Sequence, residues 1–192
     1  MKKPHRSGRV PAYKKKSFYV FLMGLFIILV MVASVLEVVL FRPVEEKVEY
    51  GDLTFVQTSA GWQAYTAQGQ RVLIQSDPST LEGISPVSFP VLDGYQKVYL
   101  SVDPVDPMAS AAIQELSLNG LLSVPTVVAC YEDSVACADY PIRTCADATS
   151  EVGVILLRAV NETVVTFENH CLTVQGEDLL MVADKLIADY YG

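Results

Sequence analysis

Uncharged positions run without a break from Ser17 to Leu36, and the apolar character continues past Glu37 to Phe41. Twenty helical residues cover ~30 Å, the thickness of a bilayer's hydrocarbon core. A helix of a soluble domain is seldom apolar all round for this length. The pattern predicts a transmembrane helix over residues 17–41. The run exceeds the ~7–15 apolar residues of a cleaved signal peptide. Its small residues, Val32-Ala33-Ser34, also lie inside the run rather than after it. The segment therefore reads as an uncleaved signal-anchor, with Glu37 near the headgroup level at its far end.

Beyond it the pattern shortens. Residues 42–50 read as a charged stalk and 51–192 as one domain, long enough to bury its own core. Leu53–Thr58, Gly61–Ala67 and Arg71–Ser76 are β-rich and separated by Gly-bearing turns, which predicts an antiparallel meander with Trp62 as a core aromatic. A Pro/Ser/Gly-rich connector follows. Lys97–Asp103 reads as a strand. Asp106 then caps a helix with Pro107 at its first position, Ala109, Ala112, Ile113 and Leu116 share a face, and Asn119-Gly120 ends it. Pro125–Tyr131 completes a βαβ unit. The runs flanking Asn161-Glu162 predict a hairpin pairing Val160 with Thr163. Cys171–Gly176 adds a short strand. Glu177 onward reads as an amphipathic helix with Leu179, Ala183, Leu186, Ile187 and Tyr190 on one face. The expected fold class is α/β: an N-terminal transmembrane helix, then one extracytoplasmic domain with a mixed β-sheet.

Charge sets the orientation. Seven Lys/Arg precede Ser17, and no acidic residue occurs before Glu37. Basic residues beside a span stay cytoplasmic. Residues 1–16 are thus the expected cytoplasmic tail, and everything after Phe41 is outside. From Arg42 onward 7 Lys/Arg face 21 Asp/Glu, a net charge of −14. The expected partners are the lipid bilayer, through the first helix, and an envelope protein. A basic tail of this size sets topology and touches anionic lipid, so nucleic acid is not an expected partner.

The outside location decides the reading of the cysteines. Cys130, Cys137, Cys145 and Cys171 are separated by six, seven and twenty-five residues. Zinc sites favour cysteines two to four residues apart. Disulfides persist outside the membrane, and an even count fits two bridges. The hairpin register sets Cys171 opposite Val152, at the end of the sheet where the chain from Cys145 enters. Cys130–Cys137 and Cys145–Cys171 are therefore the expected bridges. His170 beside Cys171 points to the opposite face of a strand and reads as a surface or turn residue. Asp103 and Asp106 follow the βαβ unit's first strand at its carboxyl end, where open α/β sheets bind ligands. They are candidates to hold Ca²⁺ or polarise a water, against a structural role in the turn and helix cap. Asn161-Glu162-Thr163 is a glycosylation sequon. No catalytic residue and no cofactor is expected.

The span, the Asp-Pro after the central strand, the four cysteines and the ending CLTVQGEDLLMVADKLIADYYG resemble short single-span exported proteins of archaea; that resemblance implies no activity. The order of elements from Lys97 is also similar to the thioredoxin-like fold, with Ser123–Val128 resembling that family's cis-proline strand. The family's C-x-x-C is replaced by DPVDPMAS, which implies that its redox chemistry is absent. The expected function is structural or partner-binding. The alternative is an exported enzyme, using thiol–disulfide exchange or metal-assisted chemistry at Asp103 and Asp106.

Overall fold

A computed structural model describes residues 13–40, 46–85 and 88–192, with the side chains of the first helix described from Phe18 to Ser34. The tail expected over 1–16 and the start of the expected stalk at 42–45 thus lie outside the described residues or side chains. The chain divides into two units, Met1–Val44 and Glu45–Gly192.

The first unit contains α1, Tyr13–Leu40, a helix of 28 residues. From Phe18 to Val32 its large side chains are exposed and apolar. Ser34, the polar exception further on, returns its hydroxyl to the Val30 carbonyl at 3.0 Å and so satisfies itself within the helix. The part whose side chains are described is ~26 Å long, short of a ~30 Å hydrocarbon core. Among the described residues no helix is long and apolar enough to cross a membrane.

The second unit holds two sheets rather than the single mixed sheet expected. The first is an antiparallel meander of β1 (Lys47–Tyr50), β2 (Leu53–Thr58), β3 (Gly61–Tyr65) and β4 (Arg71–Ile74), in that order. Residues 47–50, read from the sequence as stalk, are its edge strand, paired from Lys47↔Val56 to Tyr50↔Leu53. The turn between them needs Gly51 at φ +55, where a Cβ would meet the Gly192 backbone at 3.2 Å.

The second sheet comprises β5 (Lys97–Ser101), β6 (Thr126–Ala129), β7 (Val152–Ala159), β8 (Val164–Glu168) and β9 (Cys171–Gly176), in the order β6-β5-β7-β9-β8. The βαβ unit forms as expected, with α2 (Pro107–Leu118) joining parallel β5 and β6. The hairpin at Asn161-Glu162 does not form. β9 lies between β7 and β8, parallel to β7 (Val154↔Cys171) and antiparallel to β8 (Glu168↔Cys171). The tight turn is Asn169-His170, both left-handed at φ 48 and 66, the backbone of a two-residue hairpin loop. β7 is buried on both faces from Gly153 to Ile155, which suits a central parallel strand.

α2 and α3 (Leu179–Tyr191) pack on each other and touch both sheets, giving three layers with the helices in the middle. One core runs through them, joining Phe55, Trp62 and Ile74 of the meander to Leu116, Leu186 and Ile187 of the helices and to Leu100, Ile155 and Leu172 of the second sheet. Fully burying each such side chain stabilises by ~1.5–3 kcal/mol.

The outer edge of β4 is closed by helix side chains. Asn119 accepts from Leu73 N at 2.8 Å and donates to Leu73 O at 2.8 Å and Glu115 O at 2.9 Å. Just past β4, Asp184 Oδ2 accepts from the backbone N–H groups of Gln75 at 3.1 Å and Ser76 at 2.7 Å. An edge that would otherwise offer free N–H and C=O groups to another chain is thus occupied.

Candidate functional site

β7 lies on the far side of β5 from β6 and parallel to it, so the chain leaving β6 must cross the sheet before re-entering. A parallel crossover is usually a helix, which supplies its own hydrogen bonds and an apolar face. Here the crossing segment, Cys130 to Glu151, has only two single-turn 3₁₀ helices, at Val135–Cys137 and Cys145–Asp147. It forms a strap over the outer face of the sheet, opposite the helices, where Tyr99, Ala129, Val154 and Cys171 make a small second core with Cys145 and Ala148.

Four kinds of contact hold this irregular strap. Cys130–Cys137 closes its first loop, and Cys145–Cys171 ties its second half to the start of β9. Cys130 N donates to Pro141 O at 2.9 Å and Arg143 N to Cys130 O at 2.8 Å, so residues 141–143 lie beside the end of β6. Buried Ser101 donates its hydroxyl to Arg143 O at 2.5 Å. Thr144 and Asp147 form a capping box, with Thr144 N donating to Asp147 Oδ2 at 2.8 Å. Among the described residues no cysteine is free. The expected pairing is therefore correct, although the register used to reach it was not. Cys171 sits beside Val154 in a parallel pair, at the same end of the sheet.

The strap also gathers cations. Lys97 Nζ lies 5.0 Å and Arg143 Cζ 5.1 Å from the centroid of one ring, that of Tyr99. Tyr99 itself is largely buried, with 9 % of its surface exposed. Hydrogen bonding by Lys97, and then by Arg143, holds the Tyr99 phenol below its ordinary pKa. Arg143 also approaches Asp147 at 3.6 Å, an exposed i,i+4 pair of little strength. Further along the same face Arg158 lies over the Tyr131 ring at 5.6 Å. Three of the six described Lys and Arg of this acidic domain thus share one face.

The other sequence candidates take structural positions. Asp106 caps α2, accepting from Met108 N at 2.9 Å, and Asp103 Oδ1 accepts from Val105 N at 3.1 Å. Both carboxylates serve the turn between β5 and α2, and among the described residues no group of three potential metal ligands occurs. Exposed His170 occupies the hairpin turn with Nδ1 3.0 Å from Tyr95 Oη, and makes no dyad with the disulfide-bonded Cys171. Asn161 is exposed in the β7–β8 connection. Trp62 is a core residue. Pro125, equated by resemblance with a cis-proline, has a trans bond, like every peptide bond among the described residues.

Two polar groupings escape a reading by helical period. Buried Lys185 donates to Tyr50 Oη and to Asp189 Oδ1 at 3.0 Å, and Tyr50 donates to Asp189 at 2.7 Å. This cluster forms the floor of an open cleft of about 570 Å³ rimmed by Glu49 and Glu82. Burial alone would lower the Lys185 pKa, but its bonds to Tyr50 and Asp189 outweigh that and raise it. It ties the end of α3 to β1. The second grouping is the buried carboxyls of Glu115 and Asp184, each with one oxygen lacking a partner. Desolvation raises both pKa values, that of Asp184 to about 6. Comparison with family models, curated proteins and solved structures finds no match for this chain.

Proposed function

We propose that this chain is a membrane-anchored, disulfide-braced extracytoplasmic domain with a structural or partner-binding role. The observation that carries the reading is the strap: a parallel crossover built from irregular chain and secured by both bridges. Such a device suits an oxidising compartment. A run of large apolar side chains on α1, all exposed, supports lipid as their surroundings. The basic residues before Ser17 support a cytoplasmic N-terminus and a single-pass topology. The resemblance to archaeal single-span exported proteins agrees with this reading, as does an exposed Asn161 as glycan acceptor.

The strap and the neighbouring edge strand supply the partner surface. Val135, at 98 % exposure, stands in the Cys130–Cys137 loop, and Tyr140 and Ile142 of the strap and Val127 and Val128 of β6 are also exposed. An envelope protein is the proposed partner class. No observation favours the enzymatic alternative, because Asp103 and Asp106 are engaged by the backbone and the thiols are paired.

Protease added to sealed cells tests the reading. Loss of the domain with survival of the N-terminal tail supports it. A chain fully protected in sealed cells, or one whose mature N-terminus begins after Ser34, contradicts it.

A further inference from the structure

We infer that Lys97, Tyr99 and Arg143 form an oxyanion-binding site on the outer face of the second sheet, suited to a carboxylate or phosphate group. Three donors converge there: the Lys97 ammonium, the Arg143 guanidinium and the Tyr99 hydroxyl. The two cations stand over one ring at 5.0 and 5.1 Å. Among the described residues the sole carboxylate in ion-pair reach is Asp147, 3.6 Å from Arg143 and itself held by Thr144; none lies in reach of Lys97. In a domain dominated by Asp and Glu, most cations would be expected beside a carboxylate. Here two remain beside an aromatic ring, and of the guanidinium only Nη1 is engaged, donating to Ile142 O at 3.2 Å.

The site is rigid. Lys97 and Tyr99 lie two residues apart on β5, on the same face. Arg143 is fixed by its backbone, with its N–H on Cys130 O and its carbonyl on Ser101. The disulfides on either side keep the strap in register over the strand. Preorganised charge-assisted donors are what anion recognition requires, and a guanidinium fork matches a planar carboxylate or a phosphate face. This site is independent of how α1 is placed.

Calorimetric titration of the full chain in a neutral detergent decides it, using inorganic phosphate and, separately, acetate at constant ionic strength set with chloride. The expected result is saturable binding of either anion. Lys97→Gln and Arg143→Gln should each weaken it by about tenfold or more. Tyr99→Phe, which keeps the ring and removes the donor, should weaken it severalfold. Arg158→Gln, on the same face but over Tyr131, should leave it unchanged, so a general charge effect is distinguished from this site. The inference is overturned if neither anion binds beyond chloride, or if Lys97→Gln and Tyr99→Phe leave the affinity as it was. Binding of phosphate alone points to phosphate-bearing ligands, and of both anions to carboxylates as well; either supports the site.

Discussion

Replacing Asp184 with asparagine should stabilise the protein at neutral pH and do little in acid. Asp184 is fully buried on α3, with Oδ2 bonded to the N–H groups of Gln75 and Ser76 and Oδ1 without a partner. α2 faces it with Glu115, another buried carboxyl with an unpartnered oxygen. The nearest cation along the helix, Lys185, is committed to Tyr50 and Asp189. Burial raises the Asp184 pKa from 3.8 to about 6; the Ser76 hydrogen bonds oppose this and the Glu115 charge adds to it. The folded protein thus holds the proton more tightly than the unfolded chain. This group's contribution to stability is complete below about pH 3.8 and is lost as pH rises through about 6. At ~1.4 kcal/mol per pH unit the loss is about 3 kcal/mol, a sizeable share of the ~5–15 kcal/mol typical of a domain. An asparagine keeps an oxygen for the two N–H groups and puts a neutral NH₂ where the proton sits. Urea unfolding of the full chain in neutral detergent, followed by the fluorescence of buried Trp62, reads the difference. Asp184→Asn should be more stable than wild type by ~2–3 kcal/mol at pH 7.5 and equal within ~0.5 kcal/mol at pH 4. A variant destabilised by the same amount at both pH values would falsify this account of the buried carboxyl.

Three further outcomes follow from the same structure. Removing Cys145–Cys171 as a paired Cys→Ser change should cost ~3–4 kcal/mol and removing Cys130–Cys137 ~2 kcal/mol, because the first joins cysteines 26 positions apart and the second 7; equal urea midpoints would contradict this. Asn119→Ala strips three hydrogen bonds from a buried side chain and should cost ~3 kcal/mol, with faster hydrogen exchange at Leu73, and unchanged exchange there sinks the edge-closing role. Asp106→Ala should cost ~1 kcal/mol through the lost cap, and added Ca²⁺ should leave the melting temperature alone; a Ca²⁺-dependent rise abolished by Asp103→Asn would instead make the pair a metal site.

Elements whose signals are local were legible in the sequence. Strands β2 to β4 of the meander, the Asp106-Pro107 start of α2 and its Asn119-Gly120 end depend on neighbouring residues, and they form where the pattern puts them, whereas β1 falls in the segment read as stalk. The pairing of β7 was not legible in its turn chemistry. Asn161-Glu162 between two β-rich runs looks like a hairpin, yet β9 intervenes, and the tight turn falls on Asn169-His170. The near-continuous apolar run VGVILL was the better guide, since a strand buried on both faces belongs inside a parallel sheet. Helical periodicity likewise placed one face of α3 in a core but missed Asp184 and Lys185. α3 is covered from two sides by two sheets, and a helix apolar over more than one stripe is the mark of that. The oxyanion site combines β5 with a residue forty-odd positions on, brought over it by the strap. No local pattern encodes that meeting, and only the crossover topology creates it.

The most direct test of the central claim is the thiol state of the chain as it occurs in its membrane. Cells lysed into excess alkylating reagent without reductant, followed by intact mass and peptide mapping of the chain from the membrane fraction, read anchor and bridges together. The expected result is recovery with the membranes, no alkyl group on the native chain and four after reduction, with Cys130 linked to Cys137 and Cys145 to Cys171. Recovery in the soluble fraction, or alkylation of the unreduced chain at any of the four cysteines, would contradict it.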